Sequence, residues 1–236
     1  MTTQEPNGTE SQDYSASWLD LYDWRSRVAT MYRERNTAMR AGEDAATVLA
    51  RFRAAKNALF KTHPQSPLGP EDRASFTGLR YYDYEPSLRL EAELQPIASE
   101  EQVEAPSSGQ GVMRFPRAGR VLFSLDGTAY ELYVYWIDVY GGGLFLPFRD
   151  ATSSEETYGA GRYLFDTVKG SDFERMMDGG DTAATGYGGG RILIDFNFSY
   201  NPSCAYDVRW VCPLAPRENV LAMPVRAGER NYREDH

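Results

Sequence analysis

The apolar and polar positions divide the chain into a helical N-terminal part and a strand-rich remainder. A first helix is predicted from about Ser17, a good N-cap residue. Its apolar side chains largely follow the helical period and define one face: Trp18, Leu21, Tyr22, Val28, Met31 and Tyr32. A second helix is predicted after Gly42, over residues 44–61. The short connection and the matched apolar stripes predict a helical hairpin over residues 17–62.

From residue 113 onward the pattern alternates as β-strands do. Residues 119–125 and 129–137 flank Asp126-Gly127, a dipeptide typical of a two-residue hairpin turn. The second of these strands is apolar on both faces, which predicts a central position in its sheet. The pattern also predicts strands at 88–94, 144–148, 163–168 and 191–199, and loops at 95–111 and 170–190. We therefore expect an α+β fold, an antiparallel β-sandwich or small barrel with the N-terminal helical hairpin packed on it.

The length of 236 residues suits a single domain. We expect that domain over residues 17–230, with its β core over residues 80–230. Residues 1–16 are rich in Thr, Gln, Ser, Asn and Asp and are predicted to be a disordered tail. Residues 231–236 are predicted to be a short charged tail.

The charge balance narrows the set of partners. The chain has 25 Lys and Arg against 34 Asp and Glu, a net charge of −9. Such a surface repels phosphate backbones and anionic lipid headgroups, so no nucleic-acid partner is expected. The first residues do not read as a signal peptide, and no apolar run is long enough to cross a bilayer. We expect a cytoplasmic, soluble protein without a membrane partner, and the oligomeric state stays open.

A polar cluster follows the last predicted strand. Asp195 and Asn197 fall on a mostly polar face, which is either solvated or the wall of a pocket. The irregular segment 200–216 then carries Asn201, Tyr206 and Trp210 among two cysteines and three prolines. Loops on a rigid scaffold are frequent places for binding sites. The alternative is a group of aromatic side chains, held rigid by the prolines, that closes one end of a barrel.

A second polar cluster covers residues 149–152 and 156–162. It contains Arg149, Asp150, Tyr158 and Arg162, with Asp166 in the strand that follows. An arginine beside carboxylates can clamp an anionic substrate through two hydrogen bonds. The same residues can instead form a buried ion-pair network that holds loops together.

The two cysteines, Cys204 and Cys212, are separated by seven residues, which is not the spacing of a thioredoxin-like or zinc-ribbon motif. They are buried apolar residues, a local disulfide or a pair with one nucleophilic thiol. A nucleophilic Cys204 needs a base, and His63 is the credible partner, although its place before Pro64 is typical of a helix end. No metal site and no cofactor are expected, because the known metal-hydrolase and phosphate-loop motifs are missing from the sequence.

Several of these stretches resemble one family. Residues 143–152, 156–164, 195–207 and 212–219 look like the bacterial family catalogued as domain of unknown function 1684, as do 63–68 and 76–79. The resemblance covers roughly residues 20–230 and implies that its polar residues, including Asn219, matter to the family. Some relatives look secreted or lipid-anchored and keep the cysteine pair, which favours the disulfide interpretation. The family carries no assigned activity.

Two functions remain open from the sequence. In the first, the protein binds a small polar or anionic metabolite, with or without acting on it, and Arg149 and Arg162 orient the ligand. The other residues of that hypothesis supply a base, fix polar groups or form walls: Asp150, Asp166, Asp195, Tyr158, Asn197, Asn201, Tyr206, Trp210 and Asn219. In the second, the protein is a non-catalytic structural or interaction module whose polar residues lock loops.

Overall fold

The computed structural model describes residues 17–98, 101–176 and 190–233. Helix α1 (Trp18–Arg40) begins with a capping box in which Ser17 and Asp20 bond each other's backbone N–H groups, at 2.7 and 3.1 Å. Helix α2 (Ala45–Thr62) begins after Asp44, whose carboxylate accepts the Thr47 N–H at 2.8 Å. A short helix α3 (Pro70–Ser75) follows. The hairpin of α1 and α2 that the sequence predicts is therefore present.

The predicted apolar face of α1 is correct only beyond its first turns. Tyr32 is buried, whereas Trp18 and Tyr22 are 87% and 72% exposed. Further along α1, the ring of Trp24 packs against Phe60 of α2 with centroids 5.7 Å apart. The first turn extends beyond that contact, so its aromatic side chains face solvent.

Eight described strands form one antiparallel sheet. Their bounds are β1 (Arg89–Pro96), β2 (Gln102–Pro106), β3 (Val112–Leu125), β4 (Thr128–Ile137), β5 (Gly143–Phe148), β6 (Arg162–Asp166), β7 (Glu174–Arg175) and β8 (Gly190–Asp195). The strand order is β6-β5-β4-β3-β1-β8-β7, and β2 pairs with the first half of β3. The sheet curls into a half-barrel. The α+β prediction with an antiparallel, barrel-like sheet is confirmed.

The β3–β4 hairpin forms at the predicted turn. Asp126 and Gly127 have φ angles of 50° and 76°, the left-handed backbone that this tight turn requires. Strand β4 lies between β3 and β5, as its apolar faces indicate. Leu132 packs in the cluster on one face of the sheet, and Tyr135 packs in the cluster on the other.

Two sequence assignments are wrong. The predicted loop 95–111 contains β2, an edge strand in which buried Ala105 alternates with exposed polar residues. Because residues 95–111 are mostly polar, the short alternation of β2 does not stand out in the sequence. The predicted strand 191–199 ends at Asp195, whose carboxylate accepts the Asn197 N–H at 3.0 Å and starts a 3-10 turn, Phe196–Phe198.

The predicted excursion 170–190 lies partly outside the described residues, since 177–189 are not among them. Its described beginning is not exposed, because Ser171, Phe173 and Glu174 are buried. The predicted tail 1–16 and the last three residues of the predicted tail 231–236 also lie outside the described residues. Tyr232 packs edge-on against Tyr206, with ring centroids 5.4 Å apart.

Aromatic contacts attach the helical hairpin to the C-terminal part of the chain. The ring of Phe52 meets Phe198 edge-on at 5.0 Å, and Phe60 meets Tyr206 edge-on at 5.2 Å. Edge-to-face pairs of this kind add roughly 0.5–1.5 kcal/mol each to the burial of the rings. They hold α2 over residues 196–206 and leave a cavity beside them.

Candidate functional site

A cavity of about 70 Å³ lies between α1, α2 and residues 200–206. Most of its lining is apolar or aromatic. The residues that contribute are Trp24, Val28, Met31, Tyr32, Phe52, Lys56, Leu59, Phe60, Pro67, Tyr163, Lys169, Ser171, Tyr200, Asn201, Pro202, Ser203 and Tyr206. A single water needs roughly 10–15 Å³ measured in this way, so the cavity holds several waters or a small organic molecule.

Lys56, a residue of the lining, belongs to a buried ion pair. The ammonium of Lys56 lies 2.5 Å from Oε1 of Glu229, whose side chain is 2% exposed. The second oxygen of Glu229 accepts the Asn201 N–H at 2.8 Å and the hydroxyl of Tyr206. The ammonium also lies over the ring of Tyr200, 4.7 Å from its centroid. Both charges are therefore held in place by protein groups.

Asn201 carries an unused acceptor. Its Nδ2 donates to the Arg230 carbonyl at 2.9 Å, which fixes the orientation of the amide. Its Oδ1 is buried and accepts no hydrogen bond from the described residues. Because a buried acceptor without a donor costs roughly 1–3 kcal/mol, a water or a ligand donor is expected beside it.

The remaining polar groups of the lining are donors or cations. Ser171 Oγ and the Tyr200 hydroxyl lie 2.6 Å apart. Burial raises the pKa of Tyr200 and of Tyr206 well above the ordinary tyrosine value, so both phenols stay protonated. Lys169 is about half exposed, with its ammonium 3.8 Å from Asp166. Among the described residues, the lining therefore has two ammonium groups and no carboxylate.

Of the residues predicted from the sequence, Asn201 and Tyr206 line this cavity. Asp150 and Arg162 lie elsewhere, in the interior, with side chains 1% and 0% exposed and 3.0 Å apart. Arg162 also donates to the carbonyls of residues 225, 227 and 229, at 2.5–3.0 Å. The structure thus joins them as an ion pair that holds residues 225–229.

Arg149 and Asn219 do not meet Arg162 at a common opening. The side chain of Arg149 is exposed, and its backbone pairs with residues 219 and 221. Asn219 is fully buried and bridges two strands. Its Oδ1 accepts the Tyr133 N–H at 2.8 Å, and its Nδ2 donates to the Tyr133 and Pro147 carbonyls at 2.8 and 2.7 Å.

Asp195 and Asn197 form a second internal network. Asn197 exchanges two hydrogen bonds with the backbone of Glu85, at 2.8 and 2.9 Å. The Asp195 carboxylate accepts from Asn197 and lies 3.4 Å from the guanidinium of Arg89. Burial raises the pKa of Asp195, against the opposing effect of the hydrogen bond from Asn197.

Asp166, His63 and Trp210 each have local partners. Asp166 is buried at the end of β6, and burial raises the pKa of its carboxyl. His63 bonds Asp23 through Nε2 at 3.0 Å and accepts the Gln65 N–H at Nδ1, also at 3.0 Å. The indole of Trp210 donates to the Pro67 carbonyl at 3.0 Å. His63 is not among the residues that contact Cys204.

Cys204 and Cys212 are free thiols in the structure, and both are buried. The hydroxyl of Tyr158, the remaining predicted binding residue, lies 3.6 Å from Cys204 Sγ. The two thiols influence each other's ionisation, since each is the largest cause of the other's pKa shift. Within residues 17–98, 101–176 and 190–233, no three His, Cys, Asp or Glu side chains are grouped so that they could hold a metal ion.

Sequence reasoning missed the ion pair of the cavity. Lys56 lies four residues after Phe52 and four before Phe60, on the apolar stripe of α2, and a cation on such a stripe is a usable signal. Glu229 has no comparable signal, because it lies among the charged residues near the C-terminal end. Its burial depends on the path of residues 225–230, which Arg162 fixes.

A second cavity, of about 300 Å³, opens at the mouth of the half-barrel and is mostly apolar. Residues of β1, β3, β4 and β5 line it, together with Arg175. None of the described helices has the length and apolarity needed to cross a membrane.

Comparison with known proteins places the chain in a family. The model of the family described as "Protein of unknown function (DUF1684)" matches residues 74–230, more than half of the chain. A solution NMR structure of an uncharacterised protein of Haloarcula marismortui is 35% identical, with a TM-score of 0.54. That match covers 78% of this chain and 92% of the other. No curated protein matches. The chain therefore belongs to the DUF1684 family, as the sequence indicated.

Proposed function

We propose that the protein binds a small anionic molecule in the cavity beneath the helical hairpin. The observation that carries this proposal is the buried Oδ1 of Asn201, a residue of the lining, which accepts no hydrogen bond from the described residues. Native proteins rarely leave such an atom unsatisfied. A ligand that donates a hydrogen bond there gains the interaction that the protein itself does not supply.

The charge of the lining selects the ligand class. Lys56 and Lys169 place two ammonium groups around the void, and the described lining contains no carboxylate. An ammonium has three donor hydrogens, and within the described residues Glu229 is the carboxylate bonded to that of Lys56. A small molecule with both a carboxylate and a hydroxyl donor satisfies the cations and Asn201 together. We therefore take a short hydroxy acid as the ligand class.

Binding without turnover fits the lining better than catalysis. General acid–base chemistry needs a group that titrates near neutral pH, such as a carboxyl or imidazole. Neither type is present among the described lining residues, and the pKa values of Tyr200 and Tyr206 are raised by burial. The acidic residues predicted as bases, Asp150 and Asp195, lie in other networks.

The test is a calorimetric titration with three matched probes: lactate, propionate and lactamide. Propionate lacks the hydroxyl, and lactamide lacks the charge. We expect a dissociation constant of about 1 mM for lactate, the range for a probe of this size. Loss of either group should weaken binding about fivefold or more, since each interaction contributes roughly 1 kcal/mol. Equal affinity for the three probes would contradict the proposed recognition.

A matched pair of variants locates the site. Val28 lines the cavity, so Val28→Phe places a ring in the void and should remove binding. Val139 is 53% exposed, so Val139→Phe makes the same change on the surface and should bind lactate like the unaltered protein.

The second candidate is the structural or interaction module. It is favoured by the pairing of Asp150 with Arg162 and of Asn219 with two strands, which uses the family's polar residues for architecture. If none of the three probes binds and Val28→Phe raises the free energy of unfolding, the cavity is a packing defect and the module is the better account.

A further inference from the structure

Two separate segments bring the cysteines together. Cys204 belongs to the 3-10 turn Ser203–Ala205, and Cys212 lies on an extended segment beside the end of β2. The Ser108 N–H donates to the Cys212 carbonyl at 3.0 Å, and the Cys212 N–H donates to Ser108 Oγ at 2.8 Å. These backbone contacts hold Cys212 in place, and its thiol is close enough to Cys204 for each to shift the pKa of the other.

The two thiols have unequal surroundings. Cys204 has the hydroxyl of Tyr158 at 3.6 Å and the hydroxyl of Ser108 as further polar neighbours. Its relative exposure is 9%, whereas that of Cys212 is 2%. Donors around Cys204 stabilise a thiolate, and the deeper position of Cys212 disfavours one.

The ionisation of the pair follows this asymmetry. The hydrogen bond from Cys212 lowers the pKa of Cys204 to about 6, helped by Ser108 and Tyr158 and opposed by burial. The same bond, together with burial, raises the pKa of Cys212. The asymmetry favours a thiolate at Cys204 beside a protonated thiol at Cys212.

We propose that Cys204 and Cys212 form a peroxide-reactive dithiol, in which Cys204 attacks the oxidant and Cys212 resolves the product. The oxidant class is a small hydroperoxide, because a mostly buried sulfur excludes larger molecules. This site is separate from the cavity and does not depend on the proposed ligand.

The oxidation proceeds in two steps, formation of a sulfenic acid and then of the disulfide. The Cys204 thiolate attacks one oxygen of hydrogen peroxide, an S–O bond forms, the O–O bond breaks, and the released hydroxide takes a proton to give water. Cys204, now a sulfenic acid, has lost two electrons to the peroxide. The sulfur of Cys212 then attacks Cys204 Sγ, the S–S bond forms, the S–O bond breaks, and the Cys212 proton leaves with the hydroxide as water. Two molecules of a small thiol such as glutathione reduce the disulfide again.

Intact-mass analysis after graded additions of hydrogen peroxide to the reduced full chain tests the proposal. We expect a product lighter by two hydrogens that dithiothreitol reverses. The rate should rise with pH with a midpoint of about 6, the pKa of Cys204. It should exceed that of free cysteine at neutral pH by about tenfold, since free cysteine is only a few per cent thiolate there.

Three variants assign the roles. In Cys212→Ser, peroxide should leave a sulfenic acid at Cys204 that dimedone traps. In Cys204→Ser, the remaining thiol should react more slowly than free cysteine. Tyr158→Phe should shift the pH midpoint of the rate upward while the disulfide still forms. The proposal is overturned if the unaltered chain gains oxygen instead of losing two hydrogens, if it reacts no faster than free cysteine, or if Cys204→Ser reacts as fast as the unaltered chain.

Discussion

The ammonium of Lys56 lies 2.5 Å from the buried carboxylate of Glu229, and this pair joins helix α2 to the C-terminal segment. The contact connects residues that are 173 positions apart in the chain. It also sets the polar wall of the cavity, because Glu229 holds the backbone of Asn201 and the hydroxyl of Tyr206. The packing of α2 on the C-terminal segment and the position of Asn201 and Tyr206 therefore depend on the same pair.

Replacing Lys56 by Met should destabilise the protein strongly. The side chain of Lys56 is 13% exposed and that of Glu229 is 2% exposed, so the variant leaves a buried carboxylate without its cation. We expect a loss of about 3 kcal/mol in the free energy of unfolding, measured by urea denaturation. Lys61→Met, an exposed position on the same helix, should change it by less than about 0.5 kcal/mol. Equal losses in the two variants would show that the pair has no special role.

Replacing Arg162 by Lys should also destabilise the protein. The guanidinium donates to Asp150 and to three backbone carbonyls, and a single ammonium lacks the planar fork that reaches all four. We expect a loss of about 3 kcal/mol in the free energy of unfolding. The control is Arg149→Lys at an exposed position, for which we expect less than about 0.5 kcal/mol. A negligible loss of stability in Arg162→Lys would show that Arg162 is not needed to hold residues 225–229 in place.

Asp166 should give the protein a measurable pH dependence. Burial raises the pKa of its carboxyl above 3.8, so the folded state keeps a proton that the unfolded state releases. This contribution to stability is fully present below the unfolded pKa and is lost as the pH rises through the folded pKa. The free energy of unfolding of the unaltered protein, minus that of Asp166→Asn, should fall with rising pH across this window.

Urea denaturation at a series of pH values from the unfolded pKa upward measures that difference. Asp138→Asn, at an exposed aspartate, controls for the substitution itself. A difference that rises with pH would mean that the ionised form of Asp166 is the one that the fold stabilises.

Much of the fold follows from local patterns. Ser17 and Asp44 cap the two helices, and the Asp126-Gly127 turn and the apolar faces of β4 identify the hairpin and the centre of the sheet. These features depend on neighbours in the sequence or on simple periodicity. The half-barrel follows from them by ordinary packing rules.

The site was harder to predict because its groups meet only through long-range packing. Asn201 and Tyr206 are predicted from an irregular loop that is rich in cysteine, proline and aromatic residues, and both line the cavity. Arg162 and Asp150 have the same residue types as an anion clamp, but their burial makes them an internal ion pair. Residue type alone does not show whether such a pair binds an anion or forms an internal ion pair, because the result depends on the path of residues 225–229.

The most direct test of the proposed site is an NMR titration of the isotope-labelled chain with lactate, read at the backbone amides. If lactate binds in the cavity beneath the helical hairpin, the shifts should concentrate at Val28, Lys56 and residues 200–206, and Val28→Phe should remove them. Shifts concentrated at the second cavity around Leu94 and Val134, or at the exposed Arg149, would place binding elsewhere and contradict the proposed site. No shifts at any lactate concentration up to about tenfold above the expected 1 mM would contradict it as well.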